Sequence, residues 1–255
     1  MAVLLPKSIY VHLMKTGGWS VRHAIARMKL HKGEIGRGHD PASLLPPAQR
    51  NNRFTFVFIR NPLMWYRSYW AYRMQVNWVI VHAKQPITGW QTFGSVLDFE
   101  CRAYQFETWL RNVLEFVPEG FLSRIYRIYT EGVNYVGRVE SLTQDLSQAL
   151  TLAGESFSPQ LLNELPKRNV TNSRFTEIAT VPKELAERVM MADLAERRDG
   201  DIVFGESAHG EIGVAMEAGV FALALHVDDL ANSFLFAGVE TGPGVKGDVL
   251  TAKCR

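Results

Sequence analysis

The chain has 255 residues, 47% of them apolar and 21% charged, which allows a proper core and excludes a disordered chain. A net charge of +2 excludes the strongly basic surface that a nucleic-acid partner needs, and two distant cysteines, Cys101 and Cys254, exclude a disulfide framework or a zinc site. Residues 1–6 are too short for a signal h-region and no apolar run reaches membrane-spanning length, so the expectation is a cytoplasmic protein with no membrane span.

In chain order, residues 8–13 read as a buried strand and 18–30 as a helix. A Gly-rich stretch, 32–39, follows, and Pro41, Pro46 and Pro47 keep the next segment irregular. Residues 54–59 read as a second buried strand and 62–76 as a helix rich in aromatics, whose side chains are assigned to the core. Residues 77–97 have no clear period and read as a surface excursion. Phe99 to Phe116 has helical spacing. Residues 123–129 and 135–139 read as two further strands, and 142–152 and 182–197 as helices. Strands alternating with helices predict an α/β fold, a parallel sheet with helices on both faces, whose ligands bind beyond the carboxyl ends of the strands.

Charge divides the chain. Residues 207–255 carry six acidic and three basic residues, whereas the first 206 carry 25 basic and 20 acidic ones. That division sets 1–206 apart as one domain, whose positive excess suits an anionic ligand, and 207–255 as a Gly/Ala-rich extension. Its apolar segment 212–225 is expected to form a helix packed on the domain; a homo-oligomer contact is the alternative.

Two strand–turn–helix segments carry the chemistry. In the first, the apolar run ends at Lys15, and Thr16, Gly17 and Gly18 let several backbone N–H groups converge on an anion, aided by the helix dipole. In the second, Arg60 ends a strand, Asn61 can cap, Pro62 suits the first helical position, and Ser68 leans back toward Arg60 from the second turn. Together they suit the two phosphate ends of one nucleotide.

Val11-His12-Leu13-Met14-Lys15-Thr16-Gly17-Gly18-Trp19-Ser20 resembles the 5′-phosphosulfate loop of the sulfotransferases that use 3′-phosphoadenosine 5′-phosphosulfate (PAPS), in the style of their carbohydrate and bacterial branch. Phe56 to Pro62 with Ser68 resembles their 3′-phosphate motif, with Arg and Ser eight residues apart. Residues 136–142 and 201–205 are weaker echoes of later segments. The resemblance implies a P-loop-like, sulfotransferase-like fold, PAPS as co-substrate, no metal, and an acceptor that is a glycan or small molecule. It places Lys15, Thr16, Gly17, Gly18, Trp19, Ser20, Arg60 and Ser68 around the nucleotide. Trp19 stands where a phosphate-touching Thr is usual, leaving Ser20 to supply the hydroxyl, and Trp65 stands where a second arginine is frequent.

Sulfuryl transfer builds charge on the oxygen bridging sulfur to the leaving phosphate, and Lys15 is the cation placed to meet it. His39, between the two motifs, is the expected base, with Glu34 and Asp40 in reserve. Lys167 and Arg168 form a basic turn able to close on the nucleotide, and Trp78 and Trp90 are candidates for stacking on the acceptor. The alternatives are a P-loop kinase or NTPase, which wants its lysine after the glycines and a carboxylate-ended strand for magnesium, and a nucleotide-binding module without activity.

Overall fold

The computed structural model describes residues 1–78, 96–164, 175 and 178–194, with the backbone of 203–206 and 212–215. The chain divides into two compact units, Met1–Arg197 and Arg198–Arg255.

In the first unit, strands β1 (Ala2–Leu4), β2 (Ser8–Val11), β3 (Gly33–Ile35), β4 (Phe54–Ile59) and β5 (Tyr135–Arg138) form one sheet in the order β3-β1-β2-β4-β5. Its helices are α1 (Gly18–Arg27), α2 (Pro47–Arg50), α3 (Pro62–Gln75), α4 (Phe106–Phe116), α5 (Phe121–Thr130), α6 (Leu142–Leu152), α7 (Pro159–Asn163) and α8 (Lys183–Leu194). Strands β2, β4 and β5 are parallel, with Val11 opposite Val57 and Ile59 opposite Arg138.

The all-parallel expectation fails at one edge, where β1 pairs antiparallel with both β2 and β3. The connection from β1 to β2 is a tight turn closed by Leu5 N–H donating to the Ser8 carbonyl at 2.9 Å, far too short for the crossover that parallel pairing needs. The sheet is therefore mixed, and β3 arises within the Gly-rich stretch, to which the sequence pattern assigns no element.

Both faces of the parallel strands are covered. Tyr10, Phe56 and Phe58 pack with Val21, Ala24 and Ile25 of α1 and Leu146, Ala149 and Leu150 of α6. The alternate residues Ile9, Val11, Val57 and Ile59 are no more than 1% exposed, and α5 packs on β4. Double burial is why these strands read as unbroken apolar runs.

Two element assignments in the first unit are corrected. Residues 123–129, expected as a strand, lie in α5, which buries Phe121, Leu122, Ile125, Tyr126 and Tyr129 at helical spacing. Its start is held from outside. Asp193 of α8 accepts from the N–H groups of Leu122 at 2.8 Å and Ser123 at 3.0 Å. Burial nevertheless pushes the Asp193 carboxyl up to about 6. The helix expected from Phe99 begins only at Phe106; residues 96–100 form a separate π-helical turn that leaves Phe99 exposed.

The second unit contains an antiparallel hairpin, β6 (Val203–Glu206) with β7 (Ile212–Ala215). The helix expected over 212–225 is thus a strand at its start, and 216–225 lie outside the described residues, as does most of the 77–97 excursion.

Candidate active site

Strand β2 delivers the segment His12–Gly17 to the carboxyl edge of the sheet, where Arg60 directly follows the end of β4. The segment curls because Lys15 (φ 63°) and Gly17 (φ 74°) both adopt left-handed backbone. That costs a lysine about 1 kcal/mol and a glycine almost nothing. Gly18 marks the closest approach, since a Cβ there would lie 1.8 Å from His12 Nε2.

Three consecutive carbonyls of the loop are held by side chains. Thr16 Oγ1 donates to Leu13 O at 2.7 Å, Trp65 Nε1 to Met14 O at 2.8 Å, and Arg60 Nη1 to Lys15 O at 3.4 Å. Thr16 is fully buried and uses its hydroxyl inside the loop.

Lys15 and Arg60 are therefore neighbours in space, although 45 residues separate them in sequence. The Lys15 ammonium lies 4.6 Å from the centre of the Tyr72 ring. Burial, and then the Arg60 charge, lower its pKa to about 8. Burial lowers Arg60 as well, with Glu140 and Tyr126 opposing. Two partly desolvated cations side by side make a site that an anion relieves.

Arg60 is fixed through its backbone. Tyr126 Oη donates to the Arg60 carbonyl at 2.6 Å and accepts from the Arg60 N–H at 3.2 Å, while Glu140 Oε1 accepts from the Asn61 N–H at 2.9 Å. Asn61 caps α3 as expected, accepting from the Met64 N–H at 3.2 Å ahead of Pro62. Ser68 lies on the second turn of α3 and is buried.

Trp19, in the first turn of α1, is 63% exposed, and the Ser20 N–H donates to the Gly17 carbonyl at 2.9 Å. His39 joins the loop from the other side. Its ring meets that of His12 edge-on at 4.6 Å, and its Nδ1 lies 2.9 Å from the His12 carbonyl oxygen. Because a carbonyl only accepts, Nδ1 carries the proton and Nε2 of neutral His39 keeps its lone pair. Tyr129 Oη donates to the His39 carbonyl. Burial holds His39 below its ordinary pKa; burial, followed by the His39 charge, takes His12 down to about 3. Both rings are neutral at pH 7.

The reserve bases are already engaged: Glu34 pairs with Arg22, and Asp40 accepts from the Arg37 N–H. Trp78, expected as an acceptor platform, is 2% exposed, and the guanidiniums of Arg73 and Arg102 lie 5.6 Å and 5.9 Å from its ring centre. Lys167, Arg168 and Trp90 lie outside the described residues. Sequence reasoning missed Trp65, Tyr72 and Tyr126 as site residues. Their contacts reach across 51, 57 and 66 positions, and no local pattern signals them.

A groove of about 620 Å³ lies between α6 and α7, lined by Thr143, Ser147 and Asn163 among others, and among the described residues its lining includes no charged side chain. Among the described residues, no helix is long and apolar enough to cross a membrane. No protein-family model matches the chain, and neither does any curated protein or any solved structure.

Proposed function

We propose that the chain transfers a sulfuryl group from PAPS to a hydroxyl or amine of a carbohydrate or small-molecule acceptor, on a sulfotransferase-like, P-loop-like scaffold. The observation that carries this reading is the meeting of Lys15 and Arg60 at the carboxyl edge of the sheet, with Arg60 Nη1 3.4 Å from the Lys15 carbonyl oxygen. Phosphate-bearing ligands fit a site with two adjacent cations, a glycine-opened loop and a helix start. PAPS supplies an activated sulfuryl group on a good leaving phosphate.

Lys15 and the loop N–H groups of Thr16 to Gly18 stabilise the charge that grows on the 5′-phosphate oxygen as its bond to sulfur breaks. Arg60 and Ser68 take the 3′-phosphate and set the register of the nucleotide. His39 Nε2 accepts the acceptor's proton as the new oxygen–sulfur bond forms, leaving adenosine 3′,5′-bisphosphate and the sulfated acceptor. Its Nδ1 bond to the His12 carbonyl ties base and cation to one loop.

The test is transfer of radiolabelled sulfate from PAPS to a panel of glycans, phenols and lipids. Transfer is expected from the wild type and is lost in Lys15→Ala and His39→Ala. Unchanged transfer by both variants removes them from the mechanism. Nucleotide binding without transfer to any acceptor identifies a binding module instead.

A further inference from the structure

Trp65 occupies the heart of the first unit yet touches the loop that the proposed reaction depends on. Its side chain is fully buried, and its Nε1 donates to the Met14 carbonyl at 2.8 Å. The indole is locked in a row of near-parallel rings. Trp65 stacks on Tyr69 (5.1 Å, 11°), Tyr69 on Trp109 (6.0 Å, 17°) and Trp109 on Phe106 (6.1 Å, 22°), linking α3 to α4. A donor held this rigidly fixes its acceptor's direction without losing rotamer freedom when a ligand arrives.

The Met14–Lys15 peptide is trans, so its C=O and N–H point opposite ways. A grip on the Met14 oxygen therefore aims the Lys15 N–H away from Trp65. It also braces the peptide entering Lys15, whose left-handed backbone would otherwise relax. Thr16 and Arg60 hold the carbonyls on either side, but each has another task or lies within the loop itself. Trp65 is the brace supplied by the core.

We infer that Trp65 is a positioning residue that pre-organises the phosphate loop through its indole N–H. This rests on the reading of the loop as a nucleotide site. Removing the N–H while keeping the aromatic volume should loosen the loop more than the fold. Trp65→Phe is the first variant. Replacement of Trp65 by benzothienylalanine, which keeps the indole's shape with sulfur in place of N–H, serves where the phenyl ring underfills the site. Trp70→Phe is the control. It deletes an equivalent buried N–H bond, to the Ala103 carbonyl at 3.0 Å, on the same helix but away from the loop.

Two readings are taken on each protein: amide hydrogen exchange of residues 15–18 without ligand, and the Kd for adenosine 3′,5′-bisphosphate. The Trp65 variants are expected to exchange faster at residues 15–18 and to bind about five- to tenfold more weakly, as the loss of one orienting hydrogen bond implies. Trp70→Phe leaves both unchanged. Faster loop exchange confined to the Trp65 variants, in a protein that binds no bisphosphate at all, upholds the brace and overturns the nucleotide assignment. Equal effects from the Trp65 and Trp70 variants, or none from either, overturn the brace and reduce Trp65 to core packing.

Discussion

Lys15 provides a titration that ordinary surface lysines do not. Burial and the neighbouring Arg60 charge bring its pKa to about 8, within reach of routine binding measurements. A phosphate set against its ammonium favours the charged form and returns the group toward the usual lysine range, above 10. Binding of the bisphosphate should therefore take up protons near pH 8, and affinity should be lost as pH rises through the free-protein value. With the free pKa at about 8, the Kd for adenosine 3′,5′-bisphosphate should rise about tenfold between pH 7 and 9, with roughly half a proton taken up per ligand at pH 8. Titration calorimetry in buffers of different ionisation enthalpy reads both quantities. Lys15→Ala should bind more weakly and with a flat profile. Arg60→Gln removes the like charge and should move the break in the wild-type curve to higher pH. A wild-type Kd constant from pH 7 to 9, or a slope that survives in Lys15→Ala, refutes the reasoning.

The close contact at Gly18 predicts that Gly18→Ala drives a methyl into the His12 imidazole. The expected cost is about 1–3 kcal/mol, with loss of bisphosphate binding, and an unchanged melting temperature contradicts it. Asp193 holds its proton more tightly folded (about 6) than at the ordinary 3.8. Its contribution to stability is therefore present in full below pH 3.8 and is lost as pH rises to about 6, a change of about 3 kcal/mol. Urea unfolding at pH 4 and pH 7 should show Asp193→Asn gaining that much at pH 7 relative to pH 4 when compared with wild type; parallel profiles sink the assignment. His39, held below its ordinary 6.5 by burial, should keep sulfuryl transfer active on the acid side of pH 6.5. His39→Ala should lower kcat by about 10²–10⁴ while leaving the bisphosphate Kd within about twofold. An acid limb above pH 6.5 argues for another base.

What the sequence revealed and what it hid divide along range of interaction. Strands β2 and β4 were legible because burial on both faces writes them as apolar runs, and Asn61-Pro62 announced the start of α3 through local capping chemistry. Residues 123–129 misled because a seven-residue window rich in Ile and Tyr suits a strand; only with Phe121 and Leu122 included does the helical period emerge. The cap that starts α5 comes from Asp193, 71 residues away. Strand β1 was hidden by its three-residue length and by antiparallel pairing, which no crossover pattern reports. At the site, the cationic side chains were visible as motif members. Their supports, Trp65 on Met14 and Tyr126 on Arg60, are tertiary hydrogen bonds between segments that carry no shared pattern.

On the proposed reading Lys15 and Arg60 hold opposite ends of one doubly phosphorylated adenosine, and ligand-induced melting tests this most directly. Adenosine 3′,5′-bisphosphate at about a hundred times its Kd should add about 2.7 kcal/mol and raise Tm by roughly 5–10 °C. ATP with magnesium should do less, and Arg60→Ala should abolish the preference. A larger shift with ATP and magnesium, or none with either nucleotide, contradicts the account.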